Sequence, residues 1–296
     1  MVTGANGNLG RRLVAELAAI GEAEVVAVVR SEHAASAIAA HEAVTTKVLS
    51  YTDVAALRDA CIAADCVVHL VGIIKEGGGA TYYEAHEGST SALCEALRDR
   101  PDVHVSYLSI VGAEPNASNS CLASKGRAER ILHEAPNPTC TLRVPMVLGE
   151  RDYVSRSLRQ RVLKEKAVGF RMESIEQPIY AGDVTAAIKA CAIGKIDAGI
   201  DLGGPEVLSR AELSRRAGQV FGRAVTVRSL PIAMGKLLAV VLQALLANPP
   251  ITPAMLEILD HDDNVDNAHA FATLGLTGLT GLDEMLRSTL AGDGLP

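Results

Sequence analysis

The sequence lacks the features of a nucleic-acid-binding surface and of a metal site. It carries a net charge of -7 and no long run of lysine or arginine, whereas nucleic-acid backbones are bound by clustered basic side chains. Its six cysteines contain no Cys-x-x-Cys pair, a pattern typical of reduced core thiols rather than of disulfides or zinc ligands. The acidic residues within positions 260–266 lack the glycine and spacing of an EF-hand. We therefore expect neither a nucleic-acid partner nor a metal.

A secretion signal and a membrane-spanning run are also missing. The first residues show neither a charged region nor a long apolar region of a signal peptide, so we expect a cytoplasmic protein. The longest apolar run, residues 232–247, is interrupted by Lys236 and Gln243 and is shorter than the roughly 20 residues that a bilayer span needs. It predicts a helix packed on its own protein. The alternative is contact with a protein complex or a membrane surface, which would place the protein at the membrane periphery.

What the sequence does have is enough length and hydrophobicity for a large core. A chain of 296 residues with 48% hydrophobic content is neither disordered nor fibrous. In its first half, short apolar runs alternate with amphipathic segments, which is typical of repeated β-α units around a parallel sheet. Five runs are rich in valine or leucine, as strands buried on both faces are: residues 24–29, 46–49, 66–71, 103–108 and 139–144.

After Gly149 this alternation loosens into helices with isolated strands, such as residues 199–202 and 224–227. Ser209 and Glu212 form a capping-box pattern at the start of one of these helices. The sequence therefore predicts an α/β fold with a doubly wound parallel sheet in residues 1–150. A smaller mixed C-terminal domain, residues 151–296, would pack partly back on it.

A glycine-rich turn opens the sequence, and an amphipathic helix is predicted to follow it from Asn8 or Leu9 to Gly21. The absence of side chains lets the backbone turn tightly and approach a pyrophosphate, and the phosphates would lie at the positive end of the helix. A glycine triplet alone is a weak signal, but here its position between strand and helix favours a Rossmann-type dinucleotide site. The first strand is expected to begin before Met1. The predicted cofactor contacts are Gly4, Asn6, Gly7, Asn8, Leu9 and Gly10.

Arg30 indicates which dinucleotide the site prefers. It lies twenty residues after Gly10, at the end of the second predicted strand, where an NAD-selective site has a carboxylate on the ribose 2′-hydroxyl. A guanidinium there can pair with the 2′-phosphate of NADP, with help from Arg11 or Arg12. We therefore expect NADP(H) to be preferred, with NAD(H) as the alternative. A solvated arginine on a loop would be the non-functional explanation.

Several further stretches resemble the atypical and extended short-chain dehydrogenase/reductases over nearly the whole chain. The resemblance looks closest to the group containing the nucleotide-binding accessory subunit of respiratory complex I and its bacterial relatives. It implies that Ser50, Tyr51, Val71 and Gly72 also line the cofactor site. The stretches are Val67-Val68-His69-Leu70-Val71-Gly72, His86-Glu87-Gly88-Ser89-Thr90, Val105-Ser106-Tyr107-Leu108-Ser109, Arg143-Val144-Pro145 with Gly149, Tyr180-Ala181-Gly182-Asp183 and Leu202-Gly203-Gly204-Pro205.

The same resemblance implies an incomplete catalytic motif. Catalytic members have a Tyr-x-x-x-Lys helix, which reads Cys121-Leu122-Ala123-Ser124-Lys125 here. Lys125 would contact the nicotinamide ribose, while a thiol replaces the phenol that transfers the proton. The hydroxyl partner falls on Ser109 or on the next residue, Ile110. Lys125 would favour a reactive thiolate at Cys121 if the sulfur is exposed, and a buried, inert thiol is the alternative.

Two histidines are expected to be structural rather than catalytic. His86 lies beside Tyr82 and Tyr83 on an apolar helix, where the family frequently has histidine, so it should be packed and hydrogen-bonded. His69 lies inside a predicted strand and should be a core or cofactor-edge residue.

These observations favour an NADP(H)-binding protein with weak or no classical oxidoreductase activity, which uses the nucleotide for stability, sensing or assembly. One alternative is an active NADPH-dependent reductase or sugar-nucleotide epimerase/dehydratase, in which Lys125 orients the cofactor and Cys121, Ser109 or the substrate handles the proton. Another is an accessory or assembly factor of a respiratory or quinone-pathway complex, with residues 232–247 as its contact surface.

Overall fold

The computed structural model describes residues 1–21, 23–246, 252–258 and 262–291. Its strands are β1 (Val2–Thr3), β2 (Val25–Val29), β3 (Val44–Val48), β4 (Cys66–His69), β5 (His104–Ile110), β6 (Thr139–Val144), β7 (Val147–Leu148), β8 (Lys166–Phe170), β9 (Ile175–Glu176), β10 (Ile179–Tyr180), β11 (Ala198–Asp201), β12 (Leu208–Ser209) and β13 (Thr226–Leu230). Its helices are α1 (Asn8–Ile20), α2 (Glu32–Ala35), α3 (Val54–Ala60), α4 (Ser89–Ala96), α5 (Ser120–Glu134), α6 (Tyr153–Leu163), α7 (Ala181–Gly194), α8 (Arg210–Val220), α9 (Ile232–Leu245), α10 (Pro253–Ile258), α11 (Ala268–Leu274) and α12 (Leu282–Leu290). A π-helical turn, Tyr83–Gly88, leads into α4.

The first of two compact units contains residues 1–143 and 185–200. Its centre is a seven-stranded parallel sheet in the order β11-β6-β5-β4-β1-β2-β3, which confirms the predicted fold class. All five predicted runs supply strands of this sheet. The prediction of an isolated strand at residues 199–202 was wrong. These residues overlap β11, which is an edge strand of the main sheet. β11 pairs with β6 through backbone hydrogen bonds although the two strands are far apart in sequence.

Helices pack on this sheet through buried apolar side chains, but of the four α1 residues predicted to face the sheet, Leu9, Leu13, Leu17 and Ile20, only Leu13 is buried, and Ile20 is 50% exposed. Helix α1 buries Leu13, Val14 and Ala18 and ends at Gly21, whose φ of 72° is left-handed and therefore suits glycine. Asp53 caps α3, since its carboxylate accepts a hydrogen bond from the Ala56 amide. A core cluster of the unit lies among β4, β5, α4 and α5 and contains Cys61, Val67, Leu93, Leu97, Val103, Val105, Tyr107, Ala128 and Leu132.

The second unit contains residues 144–184 and 201–296. Its core includes Leu148, Leu158, Val162, Met172, Leu213, Met285 and Leu286, which come mainly from α6, α8 and α12. Ser209 caps α8 as predicted, because its hydroxyl accepts from the Glu212 amide. Residues 224–227 overlap β13, which pairs in parallel with β8 in a separate two-stranded sheet.

Helix α9 of the second unit presents its large apolar side chains to solvent. Small residues on its inner side, Gly235 and Ala239, are buried. Leu237 is 69% exposed and Leu245 is 75% exposed. Across the described residues, no helix is long and apolar enough to cross a membrane. Ala247, the end of the predicted run, and Asp260, in the predicted acidic cluster, lie outside the described residues.

Candidate functional site

The glycine turn follows β1, which lies between β2 and β4 in the sheet. Gly4 has a φ of 69°, and a Cβ there would lie 2.9 Å from the Leu70 carbonyl carbon and 3.1 Å from the Val71 nitrogen. A Cβ on Gly10 would lie 2.4 Å from the Gly4 oxygen. Both positions therefore require glycine, and the turn sits directly against the segment that leaves β4.

The start of α1 is arranged to receive an anion. Gly7 occupies the N-cap in an extended conformation and has no side chain that could cap the helix, and the first turn contains no acidic residue. The Arg11 guanidinium donates to the Asn6 carbonyl at 2.7 Å. The backbone amides that begin a helix and the positive end of the helix dipole both favour a phosphate at this point. The turn therefore fits a pyrophosphate, with Asn8 and Leu9 in the first helical turn.

The loop after β3 brings a second group of predicted residues to the same turn. The Tyr51 hydroxyl accepts from the Gly4 amide at 3.0 Å and donates to the Val28 carbonyl at 3.1 Å. Burial raises the pKa of Tyr51, against smaller opposing effects of the Gly4 hydrogen bond and Arg30. The exposed Arg30 guanidinium lies 5.8 Å from the centre of the Tyr51 ring. Sequence reasoning placed Tyr51 near the cofactor but did not foresee its bond to Gly4.

Lys125 lies on α5 and is buried beside the segment that follows β4. Its Nζ donates to the Leu108 carbonyl at 2.9 Å and lies 4.4 Å from the centre of the Tyr107 ring. A Cβ on Gly72 would come within 3.1 Å of this Nζ. Burial lowers the pKa of Lys125 to about 8, and Cys121 and Glu129 act weakly in the opposite direction. Lys125 and Gly72 are therefore brought together, as a shared cofactor site requires.

Cys121 is not the exposed thiol that a reactive thiolate needs. Its side chain is fully buried, and Sγ lies 3.6 Å from the Ile73 carbonyl oxygen, to which the thiol donates. Burial raises the pKa of Cys121 to about 11, and the favourable charge of Lys125 does not offset it. The structure therefore matches the alternative expectation, a buried and protonated thiol.

Ser109 contributes a buried hydroxyl near the end of β5. Its side chain is 1% exposed, and Oγ has no hydrogen-bond partner within the described part of the chain. A buried polar group without a partner costs about 1–3 kcal/mol. Ser109 is therefore a candidate to bond a bound molecule, whereas the neighbouring Ile110 carries no polar group.

The two histidines are packed and hydrogen-bonded, as expected. His86 lies on the π-helical turn, and its Nε2 accepts from the Ile73 amide at 3.1 Å. His69 Nδ1 lies 2.7 Å from the Thr3 hydroxyl. Burial, followed by the charge of Lys125, lowers the pKa of each to about 3. Both imidazoles are therefore neutral near pH 7 and do not repel the charged form of Lys125.

Comparison with known proteins identifies a family that matches this sequence. The sequence model of a family described as NAD(P)H-binding matches residues 4–158, which is more than half of the chain. No curated protein matches the sequence. Among residues that the structure describes, no group of three or more His, Cys, Asp or Glu side chains could hold a metal ion.

Solved structures of similar fold span almost the whole chain. UDP-glucuronic acid 4-epimerase from Bacillus cereus, in complex with UDP-glucuronic acid and NAD, is 17% identical with a TM-score of 0.75, covering 98% of this chain and 96% of that chain. The enzyme WbmH from Bordetella bronchiseptica, in complex with NAD+, is 16% identical with a TM-score of 0.73 at the same coverage. UDP-N-acetylglucosamine 4-epimerase from Bacillus cereus is 17% identical with a TM-score of 0.69, covering 96% of this chain and 95% of that chain. At these identities the likeness concerns the fold.

Proposed function

The chain belongs to the NAD(P)H-binding family, and on that premise we propose that it binds NADP(H) chiefly as a structural ligand and turns it over slowly or not at all. The observation that carries the proposal is the contrast between two parts of one unit. The glycine turn at α1 is built to hold a dinucleotide. Cys121, at the position where catalytic short-chain dehydrogenase/reductases have a proton-transferring phenol, is buried and protonated.

The chain offers a contact for each part of the nucleotide. The first amides of α1, after Gly7, would hold the pyrophosphate, and Arg30 would pair with the 2′-phosphate. Ser50 and Tyr51 would line the adenosine side. Val71, Gly72 and Lys125 would meet the nicotinamide ribose, where Lys125 can exchange its bond to the Leu108 carbonyl for one to a ribose hydroxyl.

The residues of the proposed site are poorly suited to proton transfer. Bound NADPH supplies a hydride, but a carbonyl substrate also needs a proton from a positioned acid. The Cys121 thiol has a pKa of about 11 and already donates to the Ile73 carbonyl. Ser109 carries a hydroxyl, and Ile110 carries nothing that titrates. Slow or absent reduction follows from this set of residues.

The deciding experiment measures binding and consumption of NADPH in one preparation. We expect NADPH to raise Tm by about 5 °C at a hundredfold excess over Kd, because a ligand of the native state then contributes about 2.7 kcal/mol. NADPH absorbance should stay constant with a panel of carbonyl compounds. UDP-glucuronic acid and UDP-N-acetylglucosamine are incubated separately with NADP+ and with NAD+, because epimerisation begins when the oxidised nucleotide accepts a hydride from the sugar. Their epimers are assayed directly, since return of the hydride regenerates the nucleotide.

Rapid oxidation of NADPH, or epimer formation, would contradict the structural role and favour an active reductase or epimerase. Cys121→Tyr introduces the phenol of catalytic short-chain dehydrogenase/reductases and serves as the comparison variant. Activity gained by this variant would locate the defect at position 121. Continued inactivity would direct attention to Ile110.

Preference for NADPH over NADH is expected to depend on Arg30. A charge-assisted hydrogen bond contributes about 1.5–3 kcal/mol, so Arg30→Ala should remove about tenfold or more of the preference. Titration calorimetry with both nucleotides measures it. Arg58→Ala is the matched control, since Arg58 is exposed in the last turn of α3 and is not among the proposed cofactor contacts. It should leave the ratio of the two affinities unchanged, and equal affinities in the parent protein would end the claim.

An accessory function in a respiratory or quinone-pathway complex is the second candidate, favoured by the outward apolar side chains of α9. A partner protein suits this face better than a lipid surface, because residues 232–246 contain one lysine and no arginine, whereas membrane-surface helices are rich in both. Leu237→Glu with Leu245→Glu should abolish comigration with such a complex on native gels, and Ile193→Glu, at another exposed apolar position, should not. Unchanged comigration, or binding to protein-free phosphatidylglycerol vesicles, would count against a protein partner.

A further inference from the structure

Tyr51 lies where the loop after β3 passes beneath the glycine turn. It is 7% exposed and packs in a cluster with Val28, Ala60 and Val71. Residues from β2, α3 and the segment after β4 therefore fix its ring. Because its ring is fixed, Tyr51 can in turn hold in place the groups that it contacts.

The hydroxyl of Tyr51 joins two backbone segments. It accepts from the Gly4 amide at 3.0 Å and donates to the Val28 carbonyl at 3.1 Å. Gly4 in turn accepts from the Gly7 amide at 3.0 Å through its carbonyl, and Gly7 is the N-cap of α1. A continuous series of hydrogen bonds thus runs from β2 through Tyr51 to the start of the helix that faces the pyrophosphate.

The ring of Tyr51 contacts the other element of the site. The Arg30 guanidinium carbon lies 5.8 Å from the ring centre, within range of a cation–π interaction. Arg30 directly follows β2 and is exposed, so its long side chain would otherwise sample many conformers. The ring limits that freedom before any ligand arrives.

We propose that Tyr51 is a positioning residue with two separable roles in dinucleotide binding. Its hydroxyl sets the glycine turn for the pyrophosphate common to NADPH and NADH. Its ring holds Arg30 in place for the 2′-phosphate that NADPH alone carries. This inference rests on the proposed NADP(H) binding and adds a second residue, besides Arg30, on which discrimination between the two nucleotides depends.

Two substitutions separate the roles, with Kd for NADPH and NADH measured by titration calorimetry. Tyr51→Phe removes the hydroxyl and keeps the ring, so both nucleotides should bind more weakly by the same factor and the ratio should stay constant. Tyr51→Leu also removes the ring, so the ratio should fall by about two- to fivefold, the value of an exposed cation–π contact. Tyr83→Leu, at an exposed tyrosine of the π-helical turn, should change neither affinity.

A double-mutant cycle makes the test specific to Arg30. In an Arg30→Ala background, Tyr51→Leu should leave the NADPH/NADH ratio unchanged, since the side chain it positions is gone. The inference would be overturned if Tyr51→Leu did not lower the NADPH/NADH affinity ratio. It would also be overturned if Tyr51→Leu lowered this ratio as much in the Arg30→Ala background as in the parent. Tyr51→Phe keeps the packing and remains informative if Tyr51→Leu does not fold. Failure of the parent to bind either nucleotide would instead refute the proposed function, and equal affinities in the parent would refute the NADP preference.

Discussion

Exchange of Gly7 for aspartate is expected to lower the affinity for NADPH about 100-fold or more and to abolish the rise in Tm that the nucleotide gives. The new carboxylate would stand at the N-cap of α1, where the amides of the first turn are proposed to hold the pyrophosphate. It would compete for those amides and repel the phosphates. Loss of two charge-assisted hydrogen bonds corresponds to about 3 kcal/mol or more, which is about two powers of ten in Kd.

The ligand-free fold should tolerate this change. Gly7 has a φ of -64° and a ψ of 169°, which any residue adopts, and aspartate is among the preferred N-cap residues. An added Cβ would lie 3.3 Å from the Gly4 oxygen, a close contact that any substitution at this position shares. Tm without ligand should therefore change by no more than a few degrees.

Gly7→Asn is the matched control for this experiment. Asparagine has the shape and N-cap preference of aspartate but no charge. It should therefore retain most of the affinity if charge is the cause. Equal losses in Gly7→Asp and Gly7→Asn would attribute the effect to the side chain's bulk, and full binding by Gly7→Asp would place the pyrophosphate elsewhere.

Replacement of Lys125 by methionine is expected to stabilise the ligand-free protein at pH 7 by about 2 kcal/mol. Burial lowers the pKa of Lys125 from 10.5 to about 8, which corresponds to about 3 kcal/mol of cost in the charged state. Methionine fills similar space without a charge. It also leaves the Leu108 carbonyl without its donor, a loss of about 1 kcal/mol that reduces the gain.

The pH dependence of this difference has a definite sign. The folded pKa lies below the unfolded pKa, so the unfolded chain binds more protons between pH 8 and 10.5. The cost is therefore fully present below pH 8 and is relieved as the pH rises towards 10.5. The advantage of Lys125→Met should shrink over that interval and then reverse.

Urea unfolding of both proteins from pH 7 to 10 measures the difference. Lys164→Met, at an exposed position, is the control and should show no such trend. Lys125→Met should also bind NADPH at least tenfold more weakly, because it loses a proposed ribose contact. A variant that is less stable than the parent at pH 7 would show instead that Lys125 stabilises the fold.

Local patterns in the sequence predicted much of the first unit. Residues 139–144 form β6 without any shift in their ends, and α1 ends at Gly21 as its glycine indicated. Such features depend on neighbours a few residues apart, so periodicity and caps are enough to find them. Nicotinamide dinucleotide binding could be predicted for the same reason, since the glycine turn and its helix are contiguous.

Features that depend on distant residues could not be predicted in this way. The Tyr51 hydroxyl and the Gly4 amide are 47 residues apart in the chain, and the Sγ of Cys121 meets the Ile73 carbonyl 48 residues away. Burial of that sulfur decides the sign of its pKa change. Helical spacing between Cys121 and Lys125 alone suggested the opposite sign, because it registers the nearby charge and not the loss of solvent.

β11 is the last strand of the seven-stranded sheet to be synthesised, and this order affects how the sheet is completed. β11 joins the sheet of the first unit, yet residues 144–184 of the second unit precede it in sequence. On the ribosome, β6 therefore remains an open edge while those residues emerge, and an unpaired strand edge invites association with other chains. A fragment cut after residue 150 would keep that edge permanently, so we expect a cofactor-binding fragment that retains β11 to associate less than one that ends at residue 150.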